Sequence, residues 1–296
     1  MDRRAIVIDC DPGKDDAVAI WVAAASPELE ILRVTTVGGN VGLARTTANA
    51  LAILGVAGRA DVPVHAGCPL PLLRPQATAE SVHGTTGIDG ADLPPARTAP
   101  APGHGAVMLV EAVMGARGPI TIAALAPLTN LAVALAMEPR IAERVERLVI
   151  MGGGFAMANM TAFAEFNVYV DPHAAAVVLR SGAPITLVPL DVTRRVLATE
   201  PWLARLEALG RTAPRATAGM YRASPDLALH DPCVIAWLLR PDLFESRPAH
   251  VAVVTEEGAE VGRTVMVEGK APNARVLLGV DSAGVLDLVA ERLARL

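Results

Sequence analysis

Short runs of nearly continuous apolar residues recur at positions 5–8, 31–36, 120–124, 148–151, 185–188 and 251–254. Strands of a parallel sheet covered on both faces read this way, because neither face meets water. Between them, residues 16–25, 43–54, 105–114, 128–137 and 172–179 carry helix-type patterns. Alternating β and α segments need crossover connections, and right-handed crossovers build an open, mostly parallel, Rossmann-like α/β sheet with helices on both faces. Residues 251–278 predict a small β-hairpin extension of that sheet, and residues 283–296 a closing helix. Ligands of such sheets bind beyond the carboxyl ends of the strands, so the residues after each strand are the ones to read for chemistry.

Two stretches break the alternation. Residues 67–104 are rich in Pro and Gly and predict a long loop over one edge, with His83-Gly84-Thr85-Thr86-Gly87 inside it. Residues 190–231 read as helices with a polar connection over 222–229. Loops of this length usually act as lids or binding loops. At about 100–200 residues per domain, and with neither an internal repeat nor a low-complexity linker, the 296 residues are expected to form one domain over 1–296.

Composition narrows the class. Hydrophobic residues make up 52% of the chain and charged residues 19%, which excludes general disorder. The 26 basic and 31 acidic residues leave a net charge of −5, against the basic surplus of a nucleic-acid binder. Cys10, Cys68 and Cys233 are an odd count without CxxC spacing, which suggests neither a disulfide framework nor a zinc site. The apolar stretch at 5–8 is too short for a signal-peptide core, and no run approaches the roughly 18 apolar residues of a membrane span. A soluble cytoplasmic protein, with no membrane partner, is the expectation.

The first strand runs into Asp9-Cys10-Asp11-Pro12-Gly13-Lys14-Asp15-Asp16 and then an apolar helix. Four carboxylates in eight residues repel one another unless a positive charge sits among them, and a helix N-terminus supplies only about half a charge. A helix cap needs one aspartate, not four. Crowded hard oxygen donors suggest Ca²⁺ or Mg²⁺. The second strand ends in Val37-Gly38-Gly39-Asn40, where glycine lets backbone approach a ligand and Asn40 both donates and accepts. After the third comes Leu125-Ala126-Pro127-Leu128-Thr129-Asn130, whose strand-end carbonyl could face the same cavity. The fourth gives Met151-Gly152-Gly153-Gly154, then Asn159, Glu165 and Asn167. In an extended segment Glu165 and Asn167 share one side and suit a hydroxyl-rich ligand. Finally His230-Asp231-Pro232 precedes an apolar helix, where Asp231 reads equally as an N-cap with proline at the first helical position.

Taken in order, DxDPGxDDA, GGN, PLTN, MGGG with AEFNxxxDP, and HDP resemble the inosine-uridine-preferring nucleoside hydrolase family over residues 5–290. The resemblance implies one Ca²⁺ at the bottom of a ribose pocket, bound by Asp11, Asp16, Asp231 and the backbone carbonyl of Leu125. It implies further that Asp11 takes a proton from the attacking water and His230 protonates the leaving base. Asp15, Asn40 and Asn167 would hold the 2′- and 3′-hydroxyls, Asn159 and Glu165 the 5′-hydroxyl, with Met151 a further substrate contact and His83 on the base side. A ribonucleoside substrate and a homo-oligomer, dimer or tetramer, are implied with it.

The sequence departs from the family in places. Lys14 fills the variable position of DPGxDD, where its ammonium is expected to pair with a carboxylate or point to solvent. Ala126 stands where Gly often precedes PLTN, and the stretch between AEFN and HDP is short. Candidates to stack on a base are Phe155, Phe163, Phe166 and Tyr221. Two other classes fit parts of the pattern: a haloacid-dehalogenase-type phosphatase with Asp9 as nucleophile, and a nucleoside or ribose sensor without turnover.

Overall fold

The computed structural model describes residues 3–296. Its main sheet has eight strands in the order β3-β2-β1-β4-β5-β6-β10-β7. These are β1 (Arg4–Cys10), β2 (Leu29–Thr36), β3 (Val64–Ala66), β4 (Thr121–Ala124), β5 (Arg147–Met151), β6 (Ile185–Val188), β10 (Ala274–Val280) and β7 (Phe244–Ala249). All run parallel except β7, which pairs antiparallel with β10. The expected doubly covered α/β sheet is therefore the observed one.

Alternation along β1 shows why its run is wholly apolar. Ile6 and Ile8 enter one core with the helices Lys14–Ala24, Leu43–Val56, Pro232–Leu239 and Ser282–Leu293. Val7 enters a second core on the opposite face with Gly105–Gly115, Thr129–Met137 and Pro172–Leu179. The helix Lys14–Ala24 is buried from Lys14 to Ala23, because other helices pack around it. An all-round apolar helix belongs in such a position.

One predicted strand is misplaced. Residues 251–254 are not part of the parallel sheet: β8 (Val251–Val253) pairs antiparallel only with β9 (Thr264–Met266), as a separate two-stranded ladder. The sheet edge is instead β7, whose FESRPA sequence is mostly exposed and so carries no apolar run to read. The predicted hairpin extension is thus present, but as β8 and β9 inserted between two strands of the main sheet. No helix of the described residues is long and apolar enough to cross a membrane.

Sequence neighbours β1 and β2 lie side by side, while β4 pairs with the other edge of β1. The chain therefore reverses its direction of travel across the sheet at β1, and a crevice opens there beyond the strand ends. Asp11, Asn40, Leu125 and Met151 all sit at or just past these carboxyl ends.

Candidate active site

Beyond those ends lies a cavity of about 290 Å³, lined by Asp15, Asn40, His83, Leu125, Met151, Asn159, Glu165, Asn167, His230 and Asp231 among others. Five separate motifs are thus brought together by the strand order. Asp11 and Asp16 lie just beneath, both buried.

Only one of the four N-terminal aspartates acts as a cap. Asp16 Oδ2 accepts from the Gly13 amide at 2.9 Å, and Asp16 Oδ1 from the Asp11 amide at 3.2 Å. Asp11 Oδ2 accepts from the Asn40 amide at 2.7 Å, whereas its Oδ1 is buried without a partner among the described residues. Glycine is required twice in this turn. A Cβ at Gly39 would collide with the Asp11 carboxylate, and one at Gly13 with the His83 ring and the Asn40 amide.

Asp231 decides between its two readings. It precedes Pro232 at the start of the helix, but its carboxylate makes no capping hydrogen bond. It turns instead to Asp15 and Asp16, and carboxylate oxygens of the three lie within 4.8 Å of one another. Burial, reinforced by the neighbouring carboxylates, pushes Asp11 and Asp231 well above the ordinary range and Asp16 up to about 7. Burial also opposes the charge on Asp15, but Lys14, His83 and His230 outweigh it and hold that carboxyl below its usual value. An all-oxygen cluster of three buried carboxylates fits a divalent metal. The Leu125 carbonyl is at the cavity wall, where it accepts from Asn167 Nδ2 at 2.9 Å and keeps a second lone pair.

The AEFN segment is not extended. Glu165 caps a short helix, Phe166–Val170, with Oε1 accepting from the Asn167 amide and Oε2 from Gly153 and Val168. Burial raises its pKa despite those three donors. Glu165 and Asn167 nevertheless both reach the cavity, because the cap turns the carboxylate inward while Asn167 is tied to Leu125 and Met151. Asn159 stands exposed at the rim, its Oδ1 accepting from the Phe166 amide at 2.9 Å.

On the opposite wall His83 accepts at Nδ1 from the Lys14 amide at 3.1 Å. Burial, with the Lys14 charge, pushes His83 down to about 4, so the ring is neutral and carries its proton on Nε2. His230 touches Thr193 Oγ1 through Nδ1 at 2.7 Å and Asp226 Oδ2 through Nε2 at 3.3 Å. Asp226 lines the cavity and was not legible as a site residue; nor was Arg194, which lies 3.6 Å from it. Burial opposes the charge on Asp226, but the His230 hydrogen bond and nearby cations hold it well below the usual range. The only sequence signal for Asp226 was the polar character of residues 222–229, and Arg194 had none.

Several expectations change. Lys14 neither pairs with a carboxylate nor points to solvent: it is 2% exposed, and Nζ has no hydrogen-bond or ion-pair partner among the described residues. Of the four aromatic candidates, only Phe166 lines the cavity. Tyr221 is wholly buried behind it, Phe163 lies under Arg263, and Phe155 packs on the second core. Asp9 is held away from the cavity by Thr35 (2.5 Å) and Asn130 (2.8 Å), which leaves the phosphatase reading without an accessible nucleophile. Asn130 of PLTN is a strand tie: it also accepts from the Cys68 amide and donates to the Thr36 carbonyl.

A pocket of buried carboxylates, amides and imidazoles thus lies at the switch point of a parallel sheet, where proteins of this α/β class bind their ligands. The family profile described as inosine-uridine preferring nucleoside hydrolase matches residues 6–287, and the chain belongs to that family. It is accordingly an enzyme, a hydrolase of the N-glycosyl bond of ribonucleosides. The chain is 40% identical to the pyrimidine-specific ribonucleoside hydrolase RihA of Photobacterium profundum, over 98% of this chain and 99% of that protein. Among solved structures, a plant nucleoside hydrolase, PpNRh1, superposes with a TM-score of 0.90 at 33% identity, covering 99% of each chain. The purine-preferring ribonucleoside hydrolase from Gardnerella vaginalis superposes with a TM-score of 0.91 at 28% identity, covering 98% of each.

Proposed function

We propose that this enzyme is a Ca²⁺-dependent ribonucleoside hydrolase that uses Asp11 as the base and His230 as the acid. The observation that carries the reading is the Asp231 carboxylate, which forgoes capping its own helix to join Asp15 and Asp16. Asp16 and Asp231, which cluster with Asp15, would hold the ion, with Asp11 and the Leu125 carbonyl completing the set. Ca²⁺ suits an irregular set of 6–8 oxygens better than Mg²⁺, which demands near-ideal octahedral geometry. When bound, the ion neutralises the carboxylates and lowers the pKa of an attacking water.

The remaining roles belong to the chain. Asp11 accepts the water proton through its free Oδ1. Asp15, Asn40 and Asn167 grip the 2′- and 3′-hydroxyls, while Glu165 and Asn159 hold the 5′-hydroxyl, and Met151 lines the sugar. Anchoring the ribose favours an oxocarbenium-like transition state, in which charge develops at C1′ as the base departs. His230 protonates the base, with Thr193 fixing its ring; at 3.3 Å the Nε2 contact to Asp226 is long enough for a seated base to compete for it. His83 offers its Nε2 proton from the same wall.

The substrate reading favours pyrimidine ribonucleosides. RihA, with that specificity in its name, is the more identical of the relatives described above. The cavity has no tryptophan or tyrosine in its wall to stack on a purine, only Phe166. Incubation with uridine, cytidine, inosine and adenosine, followed by assay of free base and reducing sugar, tests this. Base and ribose are expected from the pyrimidine nucleosides first. Tight nucleoside binding with no release from any of the four would support a sensor instead.

His230→Ala is expected to slow uridine cleavage by about 10²- to 10³-fold, and p-nitrophenyl riboside far less, since nitrophenolate leaves without a proton. Equal losses on both substrates would remove His230 from the role of acid.

A further inference from the structure

Lys14 is the first residue of the helix Lys14–Ala24, directly after Gly13. Three effects oppose a cation there. The helix N-terminus is the positive end of the dipole. The side chain is 2% exposed, so its charge is stripped of water. Its Nζ also makes no hydrogen bond among the described residues. The Tyr221 ring, with its centroid 5.4 Å away, offers a cation–π attraction but no acceptor. A buried polar group left unsatisfied calls for a partner that arrives with the ligand.

The position says which part of the ligand. Lys14 borders both the cavity and a smaller neighbour together with His83, and it lies close enough to Asp226, the partner of His230, for its charge to act there. The groups suited to sugar hydroxyls come instead from the Asn40, Asn159 and Glu165–Asn167 segments. The Lys14 amide itself holds His83. A second cavity of about 230 Å³ adjoins the first along Lys14 and His83, so this wall is not sealed by packing.

We propose that Lys14 Nζ is the donor that reads a ring carbonyl on the leaving base, so that Lys14 selects oxo bases such as uracil over adenine, which has none. The inference rests on the hydrolase reading above. An ammonium has donors and no acceptor, so it pairs with a carbonyl oxygen and not with an exocyclic amino group. As the C1′–N bond breaks, its electron pair passes to the base nitrogen and spreads onto that oxygen, where a charge-assisted hydrogen bond strengthens. Lys14 keeps its proton. The proton added to the base nitrogen comes from His230, and the one lost by water goes to Asp11.

A competing role is purely electrostatic: the Lys14 charge supports ionised Asp15. Removing it would then weaken the ribose end for every substrate alike. The test is kcat/KM of wild type, Lys14→Met and Lys14→Gln, with bound Ca²⁺, on uridine, adenosine and p-nitrophenyl riboside. Lys14→Met is expected to lose about 10- to 100-fold on uridine, and at least about tenfold more than on p-nitrophenyl riboside or adenosine. Lys14→Gln, which keeps a donor but no charge, falls between, and carries the test if the methionine variant does not fold. Equal losses on all substrates, or no loss on uridine, would overturn the assignment of Lys14. Wild type that cleaves neither nucleosides nor p-nitrophenyl riboside would instead overturn the hydrolase reading.

Discussion

Asp11→Ala is expected to lose at least about 10⁴-fold in turnover on every ribonucleoside, because one side chain supplies both a metal ligand and the base for the attacking water. The fold should survive. Asp11 is one of several carboxylates crowded into a dry site, and burial and repulsion already disfavour its charge. Its carboxylate accepts one hydrogen bond among the described residues, from the Asn40 backbone amide. Asp11→Asn keeps an acceptor for that amide while removing the charge, so the two variants separate chemistry from packing. Both should melt, without metal, within a few degrees of wild type. Turnover near the wild-type rate in either would remove Asp11 from the reaction.

Chelation is expected to abolish activity, and re-addition of Ca²⁺ to restore it. The same site gives metal binding a signature in stability. Asp11, Asp16 and Asp231 bind protons more tightly in the folded chain than in the unfolded one, Asp16 with a pKa of about 7. Stability from such groups is full below the unfolded carboxylate value and is lost as pH rises through the folded one. Glu165, also raised by burial, acts in the same direction, and two other buried groups act lower. Asp9, raised to about 6, has lost its contribution above that pH, and His83, lowered to about 4, contributes fully only above the ordinary histidine value. From about pH 6.5 to 8.5 the aspartate cluster therefore sets the slope, and the melting temperature of the metal-free protein should fall. Ca²⁺ needs the carboxylates ionised and replaces their protons, so the gain in melting temperature on adding it should grow over the same interval. A gain independent of pH, or a metal-free protein more stable at the alkaline end, would place the ion elsewhere.

The polar groups of the pocket differ in how they show themselves in the sequence. Asp11, Asp15 and Asp16 stand out because four acidic residues around one turn exceed what a cap uses. Asp231 does not: an aspartate before a proline at a helix start looks the same whether it caps the helix or faces a ligand. Only the missing cap bond and the approach to Asp15 and Asp16 separate the two. Asp226 carried no signal beyond a polar stretch, and Arg194 none, since their place depends on how the helices of residues 190–231 fold back over the cavity. Glu165 and Asn167 reach the site through a helix cap, which period-two counting misses.

Hydrophobic periodicity by itself determined the parallel α/β sheet, because strands buried on both faces must be apolar throughout and helices between them must show one face or more to the core. The motifs at the strand ends, not the periodicity, carried the resemblance to the family and marked the N-terminal acidic turn. Tertiary structure alone decided the edge, where β7 is too exposed to leave a pattern and β8 and β9 pair with each other. It alone decided the fate of Lys14 as well. A lysine beside aspartates pairs or is solvated unless distant segments close over it. Here Tyr221 and the short helix ending at His83 do so, leaving a buried charge whose partner no local pattern could supply.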